Sequence, residues 1–202
     1  ERTQDLKIEN LKVIKDYLSD ITEQNADSVN EIAKNSLNQE ELFNRYGIHQ
    51  VDVMVLFGGS ILEGGDVLAS GIKNFVAKKY IIVGGAGHTT DTLRQRVHLE
   101  YPDIETTDLS EAEIFQKYIK HVYGCKADYL ETKSTNCGNN ITYLLDLLKE
   151  NNISFNSIIL SQDASMQRRM AAGLKKYVKK DVTIINYATY CAKVLNQDED
   201  LV

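Results

Sequence analysis

Tryptophan is absent from this 202-residue chain, and Pro102 is its single proline. Its long connections are therefore not stiffened by proline. Cysteine is scarce: Cys125, Cys137 and Cys191 are an odd number at no metal-ligand spacing. That argues against a disulfide framework and reads as reduced thiols of an intracellular, cytoplasmic protein; no metal ligands are assigned. No apolar run approaches the roughly 20 residues of a membrane span. No secretory signal pattern opens the chain, which starts at Glu1 instead of Met, as a trimmed start would. Basic residues are outnumbered, 23 Lys and Arg against 29 Asp and Glu, for a formal net charge of −6. The clustered basic surface that nucleic acid requires is thus not expected, and the expected partner is a small-molecule ligand.

What is present is an ordinary globular complement, 43% hydrophobic residues, enough to bury a sizeable core. The length suits one domain, or one domain with an appendage. The appendage is residues 1–48, an N-terminal helical segment. Leu6, Leu11, Ile14, Leu18 and Ile21 recur at helical spacing, and Val29, Ile32, Ala33 and Leu37 mark a second helix. Neither carries recognisable chemistry.

Residues 49–202 alternate strand and helix. Strands are expected at Val51 to Phe57, Tyr80 to Val83, Tyr129-Leu130, Ser157 to Leu160 and Val182 to Ile185. Helices fit at Val67 to Lys78, Glu111 to Val122, Asn139 to Asn151 and Ala164 to Val178. Near-continuous apolar strands alternating with amphipathic helices predict an α/β fold, a Rossmann-like, doubly wound parallel sheet of about five strands. In such folds ligands bind beyond the carboxyl ends of the strands, so the residues that follow each strand carry most of the functional information.

Those residues are glycine-rich or polar at every strand end. Gly58-Gly59-Ser60 follows the first strand and predicts close backbone approach and bare amide donors. Gly84-Gly85-Ala86-Gly87-His88-Thr89-Thr90 follows the second and opens a connection as far as Ser110, long enough to read as a lid. Its glycines predict further backbone contacts, His88 stands beside them as a candidate acid or base, and Arg94 is carried toward the site. Ser110-Glu111-Ala112-Glu113 matches the capping box, which explains Ser110 and Glu113 but not Glu111. Glu111 is left to accept from a ribose-like diol, to bind a metal or to pair with Arg168. Ser134-Thr135-Asn136-Cys137-Gly138-Asn139-Asn140 enters a helix with more hydrogen-bonding groups than a cap needs, so Ser134, Thr135 and Asn136 are ligand-binding candidates. Asp163 stands where an N-cap belongs, and Arg168 and Arg169 follow near the positive end of the helix dipole, where cations gain nothing unless an anion binds. Arg168, which shares a helix face with Ala164, is expected to face the cleft. The sequence matches neither the dinucleotide fingerprint nor the P-loop nor the hydrolase elbow.

Taken in order, Gly84 to Thr90, Ser110-Glu111-Ala112, Ser134 to Asn140 and Gln162 to Arg169 form a series that resembles the YdcF-like branch of the ElyC/SanA/YdcF family, a domain of unknown function. The resemblance spans Val51 to Tyr187. It implies a Rossmann-like fold with its motifs grouped at the strand ends, nucleotide-like ligands with S-adenosylmethionine among them, and a part in the envelope physiology of bacteria. Relatives often carry a histidine where the Asp163 segment enters its helix, so a histidine acid or base is not carried over to that position. They also tend to continue well past the last strand, whereas this chain stops at Val202. The acidic glycine motif of Rossmann methyltransferases is missing after the first strand, so methyl transfer is not the expected reaction. The expectation is a small-molecule-binding protein, an enzyme acting on or with a nucleotide-like or anionic ligand, with Glu111, Asp163 and His88 as its acid/base groups. A hydrolase or transferase on a phosphorylated or glycan-linked substrate, a non-catalytic ligand sensor and a protein-interaction module stand as alternatives.

Overall fold

A computed structural model describes residues 37–189, 196–197 and 200–201. The helices expected over Leu6 to Ile21 and from Val29 lie outside the described residues, except for Leu37, which is buried.

Five strands form one all-parallel sheet in the order β3-β2-β1-β4-β5. They are β1 (Val51–Phe57), β2 (Ala77–Val83), β3 (Tyr129–Glu131), β4 (Ser157–Gln162) and β5 (Thr183–Ala188). Six helices accompany them among the described residues: α1 (Gln39–Tyr46), α2 (Glu63–Lys73), α3 (Thr90–Glu100), α4 (Glu111–Tyr123), α5 (Cys137–Glu150) and α6 (Ala164–Lys175). Asn196–Gln197 and Asp200–Leu201 form a separate antiparallel pair.

The chain winds outward from β1 through β2 to β3, then returns past β1 to β4 and β5. Alternation along each strand divides the apolar side chains between two layers. Met54, Leu56, Ile82 and Ile159 pack with α2, α3 and α4 on one face. Val53, Val55, Phe57, Ile81, Ile158 and Leu160 pack with Ile141, Leu144 and Leu148 of α5 and Met170 and Leu174 of α6 on the other. Each fully buried aliphatic side chain contributes about 1.5–3 kcal/mol, so burial on both faces explains the near-continuous apolar strands.

Asp52, the one acid in β1, ties the amino edge of the sheet together. Its carboxylate accepts from Lys78 Nζ at 2.7 Å and from the amides of Asn156 and Ser157 at 2.8 and 3.2 Å. Burial works to raise its pKa, but the ammonium and the amides outweigh it and hold the carboxyl below its ordinary value. On the α2/α4 face, the hydroxyls of Tyr118 and Tyr123 donate to Asp66 Oδ1 at 2.5 and 2.7 Å.

Two expectations of the sequence change here. The helix expected at Val67 to Lys78 ends at Lys73, and β2 begins at Ala77. Lys78 and Lys79 belong to the strand because they stand at its solvent-facing amino end, where Lys78 pairs with Asp52 and Lys79 with Asp128. The connection expected as a loop from Ala86 to Leu109 contains α3, whose Leu93 and Val97 are fully buried. Arg96 clamps that helix to α2 through both oxygens of Glu63, at 3.1 and 3.2 Å, and also bonds Glu100. Ahead of α3 the neck Ala86-Gly87-His88-Thr89 is exposed.

Candidate functional site

Strand order reverses between β1 and β4, and a cleft of about 460 Å³ opens beyond their carboxyl ends. That volume lies within the roughly 300–1,000 Å³ of small-molecule sites. Gly58, Gly59 and Ser60 after β1 line it, as do Gly84, Gly85 and His88 after β2. Ser134, Thr135 and Asn136 line it from the entrance to α5, Glu111 from α4, and Asp163 and Arg169 from the start of α6. Sequence motifs as far apart as Gly58 and Arg169 thus meet at one sheet edge.

The glycines divide into two kinds. The amides of Gly58, Gly84 and Gly85 are already spent, on Val83 O, Glu131 O and Ser134 O at 2.7, 2.9 and 3.0 Å. These residues permit close packing instead of offering free donors. A Cβ on Gly85 would stand 2.2 Å from Ser134 O, and one on Gly58 would stand 2.5 Å from Glu111 Oε2. The amides of Gly59 and Ser60 have no acceptor among the described residues and are the donors this loop presents.

Glu111 is 7% exposed. Its neighbour Ser110 forms the expected capping box with Glu113, and its own amide and that of Ala112 are taken by Gly85 O and Gly84 O at 3.0 and 2.9 Å. The α4 amino terminus is therefore closed to a ligand. The Glu111 carboxylate is not closed. Thr89 and Thr90 hydroxyls both donate to Oε1 at 2.9 Å, and the Gly87 amide donates to Thr90 Oγ1 at 2.7 Å. Both threonine hydroxyls go to Oε1, and Oε2, which accepts nothing from the described residues, is open to the solvent of the cleft. Neither threonine was assigned a role from the sequence, although both stand in the Gly84-to-Thr90 motif; a hydroxyl pair ahead of a helix reads first as a cap.

The α6 entrance bears out the expected N-cap but not the expected arginine. Asp163 caps its own helix: Oδ1 accepts from the amides of Ser165 and Met166 at 3.0 and 3.3 Å and from the Ser165 hydroxyl. A carboxylate already occupies the positive end of this dipole, so the anion argument passes from bare amides to the guanidinium alone. That guanidinium belongs to Arg169, not Arg168. Asp163, Met166 and Arg169 recur every three residues and line the cleft together, whereas Arg168 is exposed and does not line it. Glu111 pairs with its two threonines and not with Arg168.

The α5 entrance is the more open helix end. Asn136 accepts from the Asn139 amide at 3.0 Å, while the amides of Cys137 and Gly138 have no acceptor among the described residues. No acid occupies the first turn. Ser134 is buried, and its Oγ accepts from the Gly85 amide at 3.2 Å, so it props the glycine turn as well as lining the cleft. Glu131, also buried, accepts from the amides of Lys133 and Ser134 at 2.6 and 3.1 Å and fixes the loop that carries Ser134. Gln162 bridges β4 to β1, donating to Gly58 O at 3.1 Å while accepting from the Asp163 amide at 2.9 Å. Sequence reading missed Gln162 as a lining residue because a strand-terminal glutamine has no periodic signature.

Arg94 does not reach the main cleft. It bonds Asp91 and Leu109 O and lines a second hollow beside the cleft. Among the described residues, no group of three or more His, Cys, Asp and Glu side chains is placed to hold a metal ion, and no helix is long and apolar enough to cross a membrane.

No protein-family model matches the chain. The fold class and the cleft are therefore read from the chain's own geometry: a parallel, Rossmann-like α/β sheet with a polar cleft at its switch point.

Proposed function

We propose that this cleft binds a small nucleotide-like ligand that carries an anionic group and a hydroxyl-rich, ribose-like part, and that the protein is an enzyme acting on or with it. S-adenosylmethionine falls within the class, through its ribose diol and carboxylate. The observation that carries the reading is Glu111: a buried carboxylate with one oxygen fixed by two threonine hydroxyls and the other unpartnered in a cleft wall. The open oxygen reaches the solvent of the cleft, and a ligand donor can take the place of water there. A diol or amine supplies it. Arg169 and the open amides at the α5 entrance favour the anionic end, and Gly59 and Ser60 present two more donors. The resemblance of the motif series to YdcF-like proteins implies the same ligand class.

A second reading, a hydrolase or transferase on a phosphorylated or glycan-linked substrate, is favoured by the pair of acids. Glu111 and Asp163 each use one oxygen as a structural anchor and keep the other unengaged. Anchored carboxylates with a free oxygen suit proton transfer to or from a bound substrate, and His88 in the exposed neck is the third candidate.

Calorimetry and thermal shift over nucleotides, S-adenosylmethionine, sugar phosphates and divalent ions test both. A ligand at 100 times its Kd stabilises the fold by about 2.7 kcal/mol. The first reading expects binding that is lost in Glu111→Gln and Arg169→Ala. The second expects turnover of a phosphorylated substrate that is lost in Asp163→Asn as well. No stabilisation by any compound in the set contradicts both.

A further inference from the structure

The second hollow, about 470 Å³, shares Gly87, His88 and Thr135 with the main cleft, so the two are separated only by that wall. Its cation is Arg94. The Arg94 side chain is 27% exposed and is held in place by Asp91 Oδ1 at 2.8 Å and Leu109 O at 2.7 Å. A guanidinium has five N–H donors. Two are spent on those partners, and Nε, which is buried, has no partner among the described residues. The fold thus holds a mostly buried guanidinium in the wall of the hollow with a donor left on each terminal nitrogen, and Asp91, its only ionic partner among the described residues, is 85% exposed. Such a counter-charge is well screened and weakly held.

We propose that this hollow is a second oxyanion subsite, read by Arg94 and suited to a phosphate group. It rests on the reading of the main cleft: one ligand reaches across the Gly87-His88-Thr135 wall, with one anionic group at Arg169 and a second at Arg94. The ligand class is then a bis-phosphorylated, nucleotide-like molecule. The chemistry is that of guanidinium forks on phosphate oxygens, which favours two separated phosphates over a single charge.

The test is a titration of the full chain with inorganic phosphate, followed through the arginine Nε–H resonances by NMR. Two saturable events are expected, one at Arg169 and one at Arg94. Arg169→Ala removes the first and leaves the second. Arg94→Gln weakens the second by about tenfold or more, as loss of a charged hydrogen bond does. Asp91→Asn leaves Arg94 and its tether to Leu109 intact and frees a donor, so it tightens the second event by roughly twofold to fivefold. A merely structural Arg94 gives no such gain, and the Asp91 variant carries the test even where Arg94→Gln fails to fold. Saturation at Arg169 with no response at Arg94 overturns this inference and leaves the main-cleft reading standing. A response at Arg94 alone overturns the single-ligand form of it, and silence at both arginines overturns both readings.

Discussion

Gly58 and Gly59 are adjacent, and both line the cleft, yet replacement by alanine has opposite expected effects. A Cβ at Gly58 would stand 2.5 Å from Glu111 Oε2, 2.9 Å from Glu111 Cβ and 3.3 Å from Gly84 Cα. The nearest group is a buried carboxylate tied to Thr89 and Thr90, and its own Cβ is as close as the helix allows. Relief means rotating Glu111 off its threonines or parting β1 from β2. Overpacking of this kind costs about 1–3 kcal/mol. Losing a hydrogen bond to a charged group adds about 1.5–3 kcal/mol. Gly58→Ala is therefore expected to destabilise by about 2.5–6 kcal/mol. A Cβ at Gly59 would meet only Gln162 Oε1, at 3.9 Å, an ordinary contact. Gly59 is not among the positive-φ residues, so Gly59→Ala is expected to be neutral or to stabilise by up to about 1 kcal/mol through the unfolded chain. Urea unfolding followed by circular dichroism measures both through the midpoint at constant slope. Equal midpoints for the two variants would refute the claim that Glu111 is wedged against the β1 terminus.

Four other outcomes follow from named contacts. Asp52 has its pKa lowered in the fold, so it stabilises above its unfolded pKa, and that contribution is lost as pH falls through the folded value; Asp52→Asn should flatten the acid limb of stability against pH, and an unchanged limb contradicts it. Burial and the Asp66 carboxylate push the Tyr123 phenol up to about 12, so its share of stability is full below the unfolded tyrosine pKa and is lost as pH climbs through the folded one; spectrophotometric titration that ionises every tyrosine near the ordinary value contradicts it. Arg169→Ala should weaken an anionic cleft ligand by about 1.5–3 kcal/mol and Arg168→Ala by under about 0.5 kcal/mol, by calorimetry, with the reverse order contradicting the stripe assignment. Arg96→Ala should speed hydrogen exchange within α3 while leaving the strands protected, and unchanged exchange in α3 contradicts the clamp to Glu63.

Much of this architecture is legible in the residues, because the strongest signals are periodic or local. Val51 to Phe57 is apolar on both faces and forms the central strand over those same residues. Ser110 and Glu113 carry a capping motif complete within four residues. The cleft is legible for a topological reason: the polar or glycine-rich segments follow parallel strands, which end on one edge, and Glu111 opens a helix at that same edge. The features that escaped depend on distant partners. α3 has only Thr90, Leu93 and Val97 buried and a weak amphipathic pattern, so its stability comes from packing and from Glu63, which is 33 residues away. The amino half of β2 is polar because Asp52 and Asp128 neutralise its lysines. α1 was legible in retrospect, since Asn38 caps it and Gly47 closes it with positive φ, but eight residues give too short a period to stand out. The choice between Arg168 and Arg169 turns on which face of α6 meets the sheet. Asp163, Met166 and Arg169 turn together into the cleft and decide it, which depends on how the helix sits on the sheet.

The central claim is that a ligand is held between Glu111 and Arg169 in the switch-point cleft. Amide chemical-shift mapping with adenosine 5′-monophosphate measures it most directly. The account predicts the largest shifts at Gly59, Ser60, Cys137 and Gly138, whose amides have no acceptor among the described residues, with the response abolished in the Glu111→Gln, Arg169→Ala double variant. Shifts concentrated on the opposite, amino edge of the sheet around Asp52 and Ser157, or a response that the double variant leaves unchanged, would contradict it.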